Sequence, residues 1–165
     1  MSREAAITMD EKILKKMMTT AERFFGTLND PEQMQITKDS FYKLQKLHPK
    51  TLIYRLENGE PVSWAIILPT QTELMDKFLR GEINEQKLLD MTKQQKTYEA
   101  LYLCSAFTIP EFRRKGYIIE MMKEAINAIP HTDDVKLFAW PYSEEGKLLV
   151  EKLVRILGTK IQLKK

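Results

Sequence analysis

Two periodicities divide the chain. The run Tyr98–Ile109 is apolar and rich in aromatic residues, which favours a strand, and Pro110 stops it because proline has no N–H for a ladder. A short basic turn, Glu111–Gly116, leads into a helical pattern in which Ile118, Met121, Met122, Ala125, Ile126 and Ile129 recur on one face. Upstream, Ala5-Ala6-Ile7 reads as a short first strand. Thr8 and Glu11 have the spacing of a capping box, opening a helix with Ile13, Leu14, Met17, Met18, Ala21, Phe24, Phe25 and Leu28 inward. Gly26 weakens its end and Asn29-Asp30-Pro31 breaks it. A second helix is expected over Lys38–Leu47, closed by Pro49.

Thr51–Glu57 and Val62–Leu68 read as two strands joined by Asn58-Gly59, a pair that tolerates the positive φ of a tight hairpin. The second is nearly continuous in apolar residues, so it is expected to be central, and Pro69 ends it. Residues 71–96 are polar with helical spacing, in two patches separated by Gly81. This insertion serves either as packing or as a lid or partner surface, and packing is the favoured reading. After a loop at Pro130–Asp134, Val135–Trp140 is a strand. Ser143 caps a helix carrying Leu148, Leu149, Leu153, Ile156 and Leu157 inward, Gly158 ends it, and Thr159–Leu163 is a last strand.

Composition narrows the function classes without choosing one. A chain of 165 residues suffices for a single domain over 1–165 with a real core. Its net charge of +3 comes with no strongly basic run, so nucleic acid is not an expected partner. No stretch reaches membrane-spanning length and no signal peptide is read, so a cytoplasmic protein without a membrane partner is expected. The one cysteine, Cys104, excludes an internal disulfide. His48 and His131 stand alone beside prolines, so no metal site is expected.

A strand feeding a basic, glycine-containing turn and then a helix start is a ready anion site, because unpaired N–H groups and the positive dipole end face the ligand. The segment Phe107-Thr108-Ile109-Pro110-Glu111-Phe112-Arg113-Arg114-Lys115-Gly116 resembles the acetyl-CoA motif of GNAT-superfamily N-acetyltransferases. Arg113 to Gly116 fit its Arg/Gln-x-x-Gly-x-Gly/Ala pattern. Ile118 departs from it, and either crowds the pyrophosphate or turns aside into the core. The resemblance is strongest over residues 98–129 and extends, by order of elements, over nearly the whole chain. It implies an α/β (α+β) fold: a mixed, mostly antiparallel central sheet flanked by helices, with a helical insertion between the third and fourth strands.

The resemblance further implies an acyltransferase that takes acetyl-CoA as cosubstrate and acetylates a primary amine on a small molecule or peptide. Phe107, Thr108 and Ile109 would meet the pantetheine arm in a splay between the two central strands. The N–H groups from Arg114 to Ile118, with Tyr117 among them, would cradle the pyrophosphate, aided by the basic side chains of Arg113, Arg114 and Lys115. Such transfer needs positioning, a deprotonated amine and a steadied oxyanion. Glu99, at the start of the strand, is the candidate base, although strand-end carboxylates more often face solvent. The family's Tyr acid falls on Val150, which leaves Tyr142 as the candidate acid, with Ser143 beside it. Cys104 reads as a small core residue. A CoA-binding or protein-binding module without catalysis is the alternative, and a different acyl donor or carrier protein a further one. The side without a final strand would be completed by a second copy, giving a homodimer.

Overall fold

The computed structural model describes residues 3–25, 34, 37–141 and 143–165, with the side chains of 3–10, 24 and 25 outside that description. Its elements run α1 (Arg3–Phe25), α2 (Lys38–Leu47), β1 (Leu52–Glu57), β2 (Glu60–Thr70), α3 (Thr72–Leu79), α4 (Glu85–Met91), β3 (Tyr98–Thr108), α5 (Tyr117–Ala128), β4 (His131–Ala139), α6 (Glu144–Leu157) and β5 (Ile161–Leu163). The fold is α+β, a five-stranded mixed sheet flanked by helices, in the order β1-β2-β3-β4-β5. β1 and β3 pair antiparallel with β2, whereas β4 pairs parallel with both β3 and β5. The sheet is thus evenly mixed rather than mostly antiparallel. Each parallel pair is bridged by a helix, α5 or α6, as parallel strands require.

Several expected boundaries move for local reasons. The first strand is absent, because Ala5, Ala6 and Ile7 lie inside α1. Alanine is the strongest helix former, and this stretch continues a helix instead of founding a strand. Thr8 is therefore inside the helix and does not open a capping box. The break at Gly26 and Asn29–Pro31 falls outside the described residues. Pro69 does not end β2, and the strand starts at Glu60 rather than Val62. Pro69 pairs with Leu101 of β3 where β1 has not yet begun, and Pro61 pairs with Leu56 of β1 where β3 has already ended. Each proline therefore sits where β2 has one neighbour, so its missing N–H interrupts no second ladder. β4 begins at His131, within the expected loop. Other expectations hold. α2 spans Lys38–Leu47, with Thr37 capping it through Ser40 N–H. Asn58 and Gly59 take φ of 52° and 78° in the hairpin.

The core forms on both faces of β2, which is buried at every position from Pro61 to Thr70. α5 covers one face with Met121, Met122 and Ala125. The inserted helices cover the other. Phe78 of α3 is fully buried, its ring centroid 4.8 Å from Tyr102, 5.9 Å from Phe138 and 6.5 Å from Trp140. Leu74, Met75, Leu88 and Leu89 are buried around it. The 71–96 insertion, which lies between β2 and β3, is thus part of the core rather than a detachable lid. Tyr98 secures α2 from below, its buried hydroxyl donating to the Leu47 carbonyl at 2.9 Å.

α6 departs most from its expected packing. Of its described residues only Leu153 is buried, Leu149 and Leu157 are half-buried, and Leu148 and Ile156 face solvent. Its caps are as expected: Ser143 Oγ accepts from Gly146 N–H at 3.0 Å, and Gly158 takes φ of 65°.

If the insertion is core, Phe78→Ala will cost about 3–5 kcal/mol. Leu148→Ala, an exposed apolar residue, will change stability by no more than about 0.5 kcal/mol. Urea denaturation followed by circular dichroism measures both, and equal small losses would show that α3 is not part of the cooperative unit.

Candidate functional site

β3 and β4 separate part-way along their length. Their parallel register runs to Leu103↔Ala139 and no further, although β3 continues to Thr108. Two local features end the ladder. The β2–β3 register passes from Ile66↔Ser105 to Ile67↔Leu103, so Cys104 is an extra, bulged residue. On the other strand Pro141 follows Trp140 directly, and it has no N–H to extend the pairing. Ile109 N–H donates to Val62 O at 2.8 Å. By antiparallel alternation, Ala106 and Thr108 then turn their backbone groups toward the gap.

The turn beyond the gap is held by its own side chains. Pro110–Phe112 form a single 3-10 turn. Arg113 Nε donates to Thr108 O at 3.0 Å, fixing the strand end. Arg114 takes φ of 68°, an uncommon value for a residue with a Cβ, and Gly116 takes 78°. Gly116 is the N-cap of α5, and no side chain caps the helix there. The N–H groups of the first turn, at Tyr117, Ile118 and Ile119, are therefore left for solvent or a ligand. A Cβ on Gly116 would meet nothing within 4 Å, so the space above the helix end is open. Lys115 Nζ lies 5.5 Å from the centre of the Phe112 ring. Among the described residues no acidic side chain pairs with Arg113, Arg114 or Lys115, and all three are exposed. Tyr117 is drawn toward the hairpin, with Arg55 5.3 Å from its ring centre and its hydroxyl 3.4 Å from Glu57. Ile118 packs against the core, so the β-branched side chain turns aside from the helix end.

The sequence-selected residues separate into two groups. Phe107 to Ile109 and Arg113 to Ile118 meet at one end of the sheet. Glu99 stands at the other end of β3, ~30 Å of extended strand from Thr108. Its carboxylate accepts from Thr72 N–H at 2.9 Å and Thr72 Oγ at 2.7 Å, capping α3. Those bonds, the backbone one first, hold its pKa below the ordinary glutamate value. Tyr142 falls outside the described residues. Val150 packs against the core.

Neither a protein-family model nor a curated protein matches the chain.

A buried polar group beside the gap has no counterpart in the motif. Glu85, in the first turn of α4, is buried, and its Oε1 accepts from Met34 N–H at 2.7 Å. Its Oε2 accepts from the Tyr102 hydroxyl, with Cys104 Sγ at 3.9 Å. Burial first, then the charge of Glu85, pushes the Cys104 thiol well above its ordinary range. The bulged cysteine is thus a protonated donor, not a nucleophile. Sequence reasoning overlooked Glu85, although it shares i, i+3, i+4 spacing with Leu88 and Leu89, the buried face of α4.

Native Cys104 is expected to alkylate with iodoacetamide, at mildly alkaline pH, at least roughly tenfold more slowly than a model thiol. Glu85→Gln removes the adjacent negative charge, lowers the thiol pKa and will speed the reaction severalfold. Mass spectrometry of timed samples measures both rates, and an unchanged rate in Glu85→Gln would separate the two groups.

Proposed function

We propose that this chain is an acetyl-CoA-dependent N-acetyltransferase of the GNAT type, acting on a primary amine of a small molecule or peptide. One observation carries the reading: the parted β3–β4 ladder opens directly beside an uncapped, basic helix start. A thioester bound there would supply an activated acetyl group. The residues in place fit such a ligand. The gap exposes backbone groups of Ala106 and Thr108 to which an extended amide-containing arm adds like a strand. The Tyr117, Ile118 and Ile119 N–H groups and the positive helix end suit a pyrophosphate. Arg114 and Lys115 add attraction that draws an anion to the turn.

In this reading the chain works chiefly by holding its two substrates in line, the main requirement of acyl transfer to an amine. Arg113 fixes the Thr108 carbonyl, so the strand end keeps its geometry while the neighbouring N–H groups bind. Glu99 is committed to capping α3 and takes no part. A CoA-binding or protein-binding module without catalysis is the second reading. It is favoured by Val150, an apolar residue in the position where the resemblance expects a tyrosine acid.

The acetyltransferase reading and the CoA-binding form of the second place CoA at the turn, and thermal shift with CoA and acetyl-CoA tests that placement. A saturable rise in Tm is expected, because the ligand binds only the folded form. Gly116→Glu puts a carboxylate over the helix end at a positive φ and will weaken binding at least roughly tenfold. No shift at saturating ligand would overturn the acetyltransferase reading and favour a protein-binding module. Binding without turnover against an amine panel would select the second. Glu99→Ala serves as the contrast: it will lower Tm by about 2–4 °C through loss of the α3 cap and leave CoA affinity unchanged.

A further inference from the structure

Two aromatic rings where β3 and β4 part hold an ammonium group. Phe78 of α3 and Trp140, the residue after β4, stand nearly perpendicular, their ring centres 6.5 Å apart at 75°. Lys164 Nζ lies over both, 4.7 Å from the centre of the Phe78 ring and 4.4 Å from that of Trp140. Both distances fall within the ~6 Å over which a ring's negative face attracts a cation. Among the described residues no acidic side chain forms an ion pair with Lys164. The rings themselves are what holds the charge. A lysine laid along an apolar surface ordinarily carries its head out to water. This one is half-buried, whereas its neighbours Leu163 and Lys165 are exposed.

The walls of this corner are fixed by the core, and its occupant is not. Phe78 is fully buried, packed against Tyr102 and Phe138. Trp140 directly follows Ala139, which makes the last β3–β4 pair with Leu103, so the corner lies at the start of the gap. Tyr102, whose ring centre is 4.8 Å from that of Phe78, donates to the Glu85 carboxylate, which adds negative potential on the same face. Lys164 lies just past β5, anchored by its N–H to Ala139 O at 3.0 Å, and its ammonium rides on a flexible four-carbon stem. A ring face attracts charge without a directional hydrogen bond, so another ammonium of similar reach fits the corner equally well.

We propose that Phe78 and Trp140 form a binding site for an alkylammonium group, which Lys164 fills in the free protein and which a ligand's ammonium takes in exchange. The ligand class is a primary ammonium on an unbranched aliphatic arm, carried by a free polyamine or by a lysine side chain. The inference needs no acyl donor and stands apart from the acetyltransferase reading.

Titration of the full chain with n-butylammonium, followed by two-dimensional NMR, tests it. The signals to follow are the Phe78 amide and the Trp140 indole N–H, one of two indole signals in the chain. Lys164→Gln removes the internal competitor and will bind at least roughly fivefold tighter than the wild type. Lys164→Arg keeps a cation over the rings and will bind as weakly as the wild type. Adding Trp140→Leu to Lys164→Gln, with circular dichroism unchanged, will weaken binding at least roughly fivefold, read at the Phe78 amide. n-Butanol, the uncharged counterpart, will leave both signals in place. Spermidine and Nα-acetyl-lysine methylamide distinguish the two sources, the tighter binder naming the arm. Signals that fail to saturate in Lys164→Gln would overturn the proposal. So would equal affinity in the wild type and Lys164→Gln, binding indifferent to Trp140→Leu, or an equal response to n-butanol.

Discussion

Pro141 has no N–H, and much of the opening between β3 and β4 follows from that missing donor. β4 cannot continue past Trp140 as a strand, and β3, bulged at Cys104, has nothing to pair with beyond Leu103. The remaining residues of β3 keep their place through β2 alone, helped by Ser63, whose Oγ lies 3.0 Å from the Phe107 carbonyl and 2.8 Å from Thr108 Oγ. A sheet that stayed paired would have covered these backbone groups. A sheet that parted earlier would have lost the stacked Tyr102 and Phe138, whose ring centres lie 4.9 Å apart. The separation therefore begins just past the last buried aromatic pair, and the helix start after the basic turn lies at its mouth.

The insertion before β3 supports this arrangement from beneath. Phe78 touches the aromatic residues of both separating strands, and Glu85 draws Tyr102 and Cys104 to one carboxylate. Burying a carboxylate is costly unless it gathers hydrogen bonds. Glu85 gathers them from the backbone at Met34, from a phenol and from a thiol, joining three separate parts of the chain. Burial, together with that negative charge, holds the Cys104 thiol in its protonated form.

Most elements were legible because their patterns are local. The helix Lys38–Leu47, the Asn58-Gly59 hairpin, the strand Tyr98–Thr108 and the caps at Ser143 and Gly158 each depend on a spacing or a backbone preference within a few residues. So does the basic turn Arg113–Gly116, whose glycine takes a positive φ of 78°. The misreadings at Pro69 and Glu99 share one cause. Pro69 looks like a strand breaker until it is known that β2 has one neighbour there. Glu99, a candidate base at the start of the strand, proves to be spent on capping α3 once the fold sets Thr72 against it.

By itself the sequence determined most of the helices and strands, and that a basic, glycine-containing turn follows the long strand. Periodicity, glycine and proline act through the backbone of adjacent residues, and those effects need no partner. Only the tertiary structure decided which positions on α6 are covered, that Ile118 packs against the core, that Glu85 is buried against β3, and that two strands part after Leu103. These depend on contacts between residues far apart in the chain, and a side chain's burial is a property of what the fold sets against it.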